Sequence, residues 1–432
     1  ANEKTSRAKQ RALLIAAPTA EDPLGDDLSE LHELLRTAGV GVVGELIQRR
    51  ETPHPNTFLG TGKLKELEAQ IPETGANVVV CDDELSPRQE RNLEAQLKIP
   101  VVDRTAVILD IFADHAHTAE GKLQVELAQL EYNLARMRGL WTHLERLGGG
   151  IGTRGPGESQ IETDRRLARD RIAALRRRLR HLGNHRETIR AERERSSLPK
   201  VALAGYTNAG KSTLLNALCG SDEVSSRDRL FETLDPTTRT VEIRGRSFLI
   251  TDTVGFIRKL PHQLVTAFKT TLEETLQADL ILNVVDASTD EASLPALVKA
   301  VDEVLAEIGA GDVPRLTVLN KVDAVDPERA ALLRIRYRDA VAISAATGDG
   351  LDELGLRIEQ EFSRTLQPME LLIPYSDGAK LAELHTLAAE LERTDTPEGV
   401  QVRASVPHSV THRYAQYLTA PLQNEAITGE PA

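Results

Sequence analysis

The sequence predicts an α/β protein with an N-terminal parallel α/β domain, a long helical hairpin, a central α/β domain and a small α+β domain at the C-terminus. Three patterns predict this: short apolar runs alternate with amphipathic runs near the N-terminus, leucines then recur at helical spacing, and strand–helix alternation resumes after the hairpin. The expected domains are residues 1–115, 116–198, 199–366 and 367–432.

The N-terminal domain is predicted from alternating strands and helices. The short apolar run after the basic start is interpreted as the first strand rather than as a signal peptide, because it is shorter than a signal peptide requires. The G-T-G-K segment at Gly60 lacks the full phosphate-loop spacing, so it predicts a tight turn into a helix. The predicted strands are Leu13–Ala17, Val40–Ile47, Val78–Cys81 and Ile99–Val102, and the predicted helices are Leu28–Thr37, Lys63–Gln70 and Pro87–Leu97.

The helical hairpin is predicted from two leucine-rich runs, Thr118–Arg146 and Thr163–Arg195, each with apolar residues three and four positions apart. Between them, Gly148–Glu158 contains six glycines and Pro156, so we expect it to continue neither helix and to form a flexible tip. In the C-terminal domain, strands are predicted at Leu371–Pro374 and Val400–Val406 around a helix from Gly378 to Leu391. These four regions account for the whole chain.

Charge is distributed unevenly along the chain. The net charge is −13, which argues against a protein that coats nucleic acid with a uniformly positive surface. Between Ile151 and Leu198, however, 13 arginines stand against 7 acidic residues, a local charge of +6. This segment is either a solvated helix surface with Glu–Arg pairs or an arm that meets phosphate, with Arg154 at its tip.

Composition excludes several classes of protein. Aromatic residues make up only 3% of the chain, which disfavours a platform for base stacking. No apolar run approaches the 18–20 residues, roughly, that cross a bilayer, so no membrane span is expected. Cys81 and Cys219 are far apart and each lies in an apolar stretch, so two buried thiols and a cytoplasmic location are expected.

A phosphate-binding loop is predicted between an apolar strand and an amphipathic helix, in the run V-A-L-A-G-Y-T-N-A-G-K-S-T-L-L-N-A-L. Gly205 and Gly210 let the backbone N–H groups surround phosphates, Lys211 reaches the β- and γ-phosphates, and Ser212 offers a hydroxyl to Mg²⁺. The expected contacts from this loop to the nucleotide are Gly205, Tyr206, Thr207, Asn208, Ala209, Gly210, Lys211 and Ser212.

A second phosphate contact is predicted at the end of the strand F-L-I-T-D-T-V-G-F. Asp252 at the strand end is placed to hold Mg²⁺ through water, which gives a buried carboxylate a partner. The N–H of Gly255 can contact the γ-phosphate, and Lys211 and Gly255 are therefore candidate catalytic groups. Thr253 and Val254, which lie between Asp252 and Gly255, are also expected to contact the nucleotide, as are Asp252 and Gly255.

Recognition of guanine is predicted from N-K-x-D in T-V-L-N-K-V-D and from A-I-S-A-A. The Asp323 carboxylate can accept two hydrogen bonds from guanine, whereas adenine offers no such donor pair, so GTP is expected over ATP. Asn320 should brace the base, and the Lys321 stem can cover its face. The expected base contacts are Asn320, Lys321, Val322, Asp323, Ser344, Ala345 and Ala346.

A threonine that senses the γ-phosphate and binds Mg²⁺ is expected in F-E-T-L-D-P-T-T-R. The sequence offers Thr233, Thr237 and Thr238 without deciding among them, and Thr233 is preferred. The expected contacts from this loop to the nucleotide are Phe231, Glu232, Thr233, Leu234 and Asp235, and the expected metal ligands are Ser212 and Thr233.

These motifs resemble those of translation-factor-class P-loop GTPases and, over nearly the whole chain, those of the HflX family. The resemblance is most specific in G-G-G-I-G-T-R-G-P-G-E-S-Q-I-E-T-D-R-R, which lies outside the nucleotide-binding domain. It implies a GTPase that binds the large ribosomal subunit and its RNA through the helical arm and glycine-rich loop, and that splits stalled ribosomes under stress. It also makes Thr233 the switch threonine, although the family's usual F-A-T-L-D is F-E-T-L-D here.

Phe256 stands where Ras-like GTPases have the glutamine that orients the attacking water. A phenyl ring cannot hydrogen-bond to water in this way, so slow intrinsic hydrolysis and stimulation by ribosomes are expected. Asn208 matches the asparagine that related GTPases use to bind K⁺ near the phosphates, which makes it a third candidate catalytic residue. The alternative is that Asn208 is only a turn residue, since asparagine is favoured in turns.

Two other classes of function are possible. A GTPase that assists tRNA modification or ribosome assembly is the main alternative, but modification chemistry would need a cofactor module or a catalytic cysteine. A signalling or membrane-remodelling GTPase is disfavoured because no lipid anchor or span is evident. A monomer is expected.

Overall fold

The computed structural model describes residues 10–19, 25, 27–137, 156–195, 198–220, 230–231, 236–259, 275–291, 293–364, 366–388 and 391–419. Three separate sheets organise these residues: one of four strands, one of six and one of three. The two larger sheets are covered by helices and the smallest lies near the C-terminus, so the α/β fold class predicted from the sequence is confirmed.

The N-terminal sheet is parallel, with strand order β2-β1-β3-β4. Its central strands β1 and β3 are almost fully buried, as expected for a sheet covered by helices on both faces. The elements are β1 (Arg11–Ala16), α1 (Ser29–Ala38), β2 (Gly41–Ile47), α2 (Thr61–Thr74), β3 (Val78–Cys81), α3 (Pro87–Leu97), β4 (Val101–Asp103) and α4 (Arg104–His115).

Helix α4 is absent from the sequence prediction, which ended the regular pattern at the fourth strand. The helix begins directly after β4, where Asp103 ends the strand and also caps the helix by accepting a hydrogen bond from the N–H of Ala106. Because no turn residues separate strand from helix, the pattern of apolar residues gave no boundary. Fully buried Ile108 and Phe112 on α4 fill one face of the sheet.

The helical hairpin consists of α5 (Ala119–Arg136) and α6 (Pro156–Arg195). Leu127, Ile172 and Leu175 pack together between the two helices, which confirms the apolar spacing as a helix–helix contact. One prediction was wrong: α6 begins at Pro156, so Pro156–Glu158 belong to the helix. Proline suits the first turn because its missing N–H has no partner there. Gly148–Gly155 and Arg154 lie outside the described residues.

The central sheet has strand order β10-β9-β8-β5-β7-β6, and β6 alone runs antiparallel to its neighbour. Its strands are β5 (Lys200–Gly205), β6 (Thr237–Ile243), β7 (Arg246–Asp252), β8 (Leu280–Asp286), β9 (Arg315–Asn320) and β10 (Val341–Ala342). The helices that flank it are α7 (Lys211–Cys219), α8 (Leu294–Glu307), α9 (Pro327–Arg336) and α10 (Leu351–Arg364). The carboxyl ends of β5, β7, β8 and β9 therefore meet at one edge.

The C-terminal unit is an antiparallel sheet of β11 (Leu366–Ile373), β13 (Gly399–Pro407) and β12 (Leu391–Thr396), with α11 (Gly378–Leu387) packed against it. The prediction of a helix through Leu391 was wrong, since α11 ends at Leu387 and Leu391 begins a strand. The strand is favoured because its residues pair along their whole length with β13 across a tight turn.

Two smaller expectations concern membranes and cysteines. Every helix in the described part of the chain is too short or too polar to cross a bilayer. Cys81 is buried as predicted, whereas Cys219, at the last turn of α7, is only partly buried and corrects the prediction of two buried thiols.

Candidate nucleotide-binding site

The phosphate loop lies between β5 and α7, at the carboxyl edge of the central sheet. Gly205 has φ of +141° and a Cβ there would lie 2.2 Å from the carbonyl oxygen of Val284. Gly210 has φ of +90° and its Cβ would lie 2.3 Å from Nδ2 of Asn320. Both positions therefore require glycine, for conformation and for space.

Lys211 is the first residue of α7 and is only 6% exposed. Its Nζ donates to the carbonyl oxygens of Gly205 at 3.1 Å and Tyr206 at 2.8 Å, so the ammonium lies inside the loop. Burial lowers the pKa of Lys211 to about 8, and the nearby Asp252 carboxylate only partly opposes this effect. An anion bound in the loop would supply the negative charge that this buried ammonium lacks.

Ser212 and Asp252 form an oxygen-rich pair beside the loop. The Ser212 hydroxyl donates to Oδ2 of Asp252 at 2.7 Å, and Asp252 is fully buried at the end of β7. A hydroxyl and a carboxylate are the kind of oxygen ligands that Mg²⁺ prefers, so these residues fit the metal that the sequence predicted. Thr253 does not face this pair, because its hydroxyl donates to the carbonyl oxygen of Leu203 at 2.7 Å.

The segment after Asp252 is joined to the phosphate loop by backbone hydrogen bonds. Phe256 N–H donates to Gly205 O at 3.0 Å, and Thr207 N–H donates to Phe256 O at 2.8 Å. A Cβ on Gly255 would lie 3.0 Å from Lys211 Nζ, so the Gly255 backbone runs beside the lysine. The Phe256 ring packs in a buried cluster with Ala204 and other apolar residues, against which Tyr206 of the phosphate loop also packs.

The predicted guanine contacts gather at the ends of β9 and β10. Asn320 donates from Nδ2 to Ala209 O at 2.8 Å and accepts at Oδ1 from Ala345 N–H at 2.9 Å, so it ties the phosphate loop to the A-I-S-A-A segment. Asp323 is exposed in the turn that follows β9. Ser344 accepts from Thr347 N–H at 3.1 Å and thereby orders the loop that contains Ala346. These residues form one contiguous group.

The structure shows an ion pair between Lys321 and Asp286 that was not predicted from the sequence. Lys321 Nζ lies 2.7 Å from Oδ2 of Asp286, the last residue of β8. The available signal was an acidic residue at the end of the strand V-V-D, next to the strand that carries N-K-x-D. The pair fixes the Lys321 stem along the edge of the site where the base is expected.

The threonine candidates divide into described and undescribed residues. Glu232, Thr233, Leu234 and Asp235 lie outside the described part of the chain. Thr237 begins β6 opposite Asp252, and Thr238 lies 3.0 Å from Thr251 between their hydroxyl oxygens. Among the described residues, Val254 is the only predicted site residue that shares a buried cluster with Phe231.

Phe231 instead contacts the N-terminal domain. Its ring meets the Phe112 ring edge-on, with centroids 4.6 Å apart, and its carbonyl oxygen lies 2.8 Å from Nδ1 of His115. The Leu230 N–H donates to the Thr37 hydroxyl at 3.3 Å. No periodicity or motif could have predicted these contacts, because the paired residues are more than 100 positions apart.

Comparison with known families assigns three consecutive regions of the chain. Residues 25–113 match the family described as GTP-binding GTPase N-terminal, and residues 115–193 match GTP-binding GTPase Middle Region. Residues 200–321 match the family described as 50S ribosome-binding GTPase. Together these matches cover strands β2 to β4 of the N-terminal sheet, most of the hairpin and strands β5 to β9 of the central sheet.

The chain is also similar to curated proteins over most of its length. It is 48% identical to a GTPase HflX of Lacrimispora saccharolytica and 42% identical to that of Escherichia coli, in each case over 92% of this chain and 94% of the relative. A GTP-binding protein from Sulfolobus solfataricus, solved with GDP, is 26% identical with a TM-score of 0.41, covering 82% of this chain and 98% of its own. The identities and coverage of the curated relatives show that the chain belongs to the HflX family of GTPases.

Proposed function

We propose that the chain binds GTP with Mg²⁺ at the site described above and hydrolyses it, and that the four regions 1–115, 116–198, 199–366 and 367–432 act as separate domains. The observation that supports the nucleotide is the buried Lys211, whose Nζ donates to two backbone carbonyls and, among the described residues, has the Asp252 carboxylate as its nearby negative charge. In this proposal Ser212 binds Mg²⁺ directly and Asp252 holds it through water. Thr233 completes the metal site, Asp323 selects guanine, and the Gly255 N–H contacts the γ-phosphate.

Hydrolysis by the chain alone is proposed to be slow. Phe256 packs into the core of the sheet and has no group that could orient water, so this step must be completed by something else. One candidate is K⁺ at Asn208, an exposed residue with φ of +61°, a backbone conformation that asparagine tolerates better than most residues. Equal GTPase rates in Na⁺ and K⁺, with ribosomal subunits present, would contradict a role for K⁺.

The partner is proposed to be the large ribosomal subunit, contacted through its RNA. One observation carries this proposal: four exposed arginines on α6 have no hydrogen-bond or ion-pair partner among the residues that the structure describes, namely Arg166, Arg169, Arg177 and Arg178. Arg171 and Arg176, by contrast, pair at 2.7 Å with Glu126 and Glu131 of α5. Unpaired arginines on a helical arm suit RNA phosphates. The proposed outcome of binding is the splitting of stalled ribosomes under stress, by a cytoplasmic monomer.

Co-sedimentation with ribosomal subunits tests this proposal. We expect the chain to sediment with the large subunit in the presence of a non-hydrolysable GTP analogue, less with GDP, and less at high salt. Replacing the four unpaired arginines by alanine should abolish sedimentation and leave GDP affinity unchanged. The matched control replaces Arg334 and Arg338, which are exposed near the end of α9, and should sediment normally.

A second variant separates splitting from binding. Replacing Gly148–Gly157 by a short rigid turn should abolish splitting of 70S ribosomes and leave GTP binding intact. Normal splitting by this variant would make the glycine-rich loop a connector only. Equal sedimentation of the chain with GDP, with the analogue and without nucleotide would contradict the proposal that GTP controls binding.

A further inference from the structure

The carboxyl edge of the N-terminal sheet carries an acidic crevice. Asp82 and Asp83 follow β3, and Glu30 lies in the first turn of α1, which follows β1. The chain leaves β1 and β3 toward opposite sides of the sheet, since β2 lies beyond β1 and β4 beyond β3. In open parallel sheets this reversal of strand order is where ligands bind.

Arg104, the first residue of α4, satisfies part of this acidic group. It is 3% exposed, donates from Nη1 to Oδ1 of Asp82 at 2.6 Å, and pairs through Nη2 with Oε2 of Glu30. One guanidinium cannot neutralise three carboxylates. The second oxygens of Asp82 and Glu30, and the Asp83 carboxylate, are therefore available to other donors.

Those donors come from the nucleotide-binding domain. Lys259 Nζ lies 3.0 Å from Oδ2 of Asp82 and 2.6 Å from Oδ1 of Asp83, and its side chain is 30% exposed. The backbone N–H of Arg258 donates to Oε1 of Glu30 at 3.2 Å. These two residues follow Gly255 by three and four positions. The crevice is therefore occupied by the end of the segment 255–259, which begins at Gly255, the proposed contact to the γ-phosphate.

Apolar packing strengthens this attachment. Val254 and Ile257 are at most 8% exposed and belong to the same buried cluster as Leu31 and Leu34 of α1. At its other end the segment is bonded to the phosphate loop through the N–H and carbonyl groups of Phe256, as described above. The segment is thus held at one end by the phosphate loop and at the other by the N-terminal domain.

We propose that Asp82, Asp83 and Glu30 are positioning residues for the GTPase reaction. Acting through Lys259 and the Arg258 backbone, they hold Gly255 beside Lys211, where its N–H meets the γ-phosphate. This inference rests on the proposed function of the site. Because GDP has no γ-phosphate, these residues contribute to the binding and hydrolysis of GTP and not to the binding of GDP.

The test compares two nucleotides in three variants. Lys259→Met removes the charge, Lys259→Arg keeps it, and Lys299→Met removes an exposed lysine on α8 that pairs at 3.4 Å with Glu303. Dissociation constants are measured for GDP and for a non-hydrolysable GTP analogue, together with kcat and KM for GTP. Lys259→Met should weaken the analogue about tenfold, the size expected for a partly buried charged contact, and change GDP by less than about twofold.

The controls decide between positioning and general stability. Lys259→Arg should restore most of the affinity for the analogue, and Lys299→Met should match the parent chain with both nucleotides. Asp83→Asn should weaken the analogue and add little to Lys259→Met in the double variant, because both changes remove one contact. Equal effects on GDP and the analogue, or no effect on either, would overturn the inference. Failure of the parent chain to bind GDP would instead overturn the proposed function.

Discussion

Raising the pH should weaken nucleotide binding through a single group, Lys211. Burial among backbone groups lowers the pKa of this lysine from its ordinary 10.5 to about 8. Bound phosphates place negative charge next to the ammonium and should restore its pKa to the ordinary value or above. Below pH 8 the lysine is charged with or without nucleotide, so affinity is independent of pH. Above pH 8 the free protein loses the proton and binding must take it up again, so affinity falls.

The two pKa values determine the size of the effect. With a pKa of about 8 in the free protein and at least 10.5 in the complex, the dissociation constant of GDP should rise about tenfold between pH 7 and pH 9. The number of protons taken up on binding should rise over the same range from about 0.1 to about 0.9. Affinity and proton uptake are independent measurements of one titration.

Titration with a fluorescent GDP gives the affinity, and calorimetry in two buffers of different ionisation enthalpy gives the proton uptake. The control is Lys211→Met, which should bind GDP more weakly but without this pH dependence. Any titration of guanine itself affects both proteins equally and cancels in their ratio. The same pH profile in the parent chain and in Lys211→Met would refute the reasoning, because the effect would then come from another group.

Three further predictions concern backbone conformation, a buried charge and the arm. Gly210→Ala should abolish measurable GDP binding because its Cβ would lie 2.3 Å from a side-chain nitrogen, whereas Gly220→Ala, with open space, should cost only about 1 kcal/mol in thermal unfolding. GDP binding by Gly210→Ala would contradict this. Asp103→Ala should destabilise the N-terminal domain by about 3–5 kcal/mol in urea, because it leaves the largely buried guanidinium of Arg136 with one carboxylate fewer. An effect below about 1 kcal/mol would show that water replaces the carboxylate. Leu175→Ala should reduce hydrogen-exchange protection in α5 and α6 by about 2–5 kcal/mol, whereas exposed Leu167→Ala should change it by less than about 0.5 kcal/mol.

The parts of the site that could be predicted from the sequence are those in which a residue's chemical role follows from a short local motif. The glycines at 205 and 210 are required by a backbone turn that any phosphate loop makes, and Asn320 joins segments that follow strands of one sheet. The carboxyl ends of parallel strands meet at one edge of a sheet. Motifs that are far apart in the sequence could therefore be assigned to one site without knowing how the helices pack. The same reasoning failed for α4, where Asp103 ends a strand and caps a helix within one residue.

Contacts between domains could not be predicted, because they depend on how the surfaces of two folded domains pack against each other. In the sequence, the pattern around Asp82 and Asp83 indicates only an acidic turn after a strand. The pattern I-R-K-L-P around Lys259 indicates only a lysine at the surface. Their contact joins residues 177 positions apart and exists only when the acidic crevice receives the segment after Gly255. Similarly, Phe231 was expected at the nucleotide, yet its ring is apolar enough to be buried against Phe112 when that surface is available.

The arginines explain how a chain with a net charge of −13 can have an RNA partner. Buried Arg104 and largely buried Arg136 each contact two carboxylates of the N-terminal domain, so their charge is neutralised locally and cannot act on a partner. The exposed arginines of α6 divide into those paired with α5 and those with no acidic partner in the described residues. The net charge counts all of these arginines equally. The electrostatic potential at a surface that RNA could approach depends mainly on the arginines without an acidic partner. Binding should therefore depend on salt through the arm, and the rest of the acidic surface should disfavour non-specific contacts with RNA.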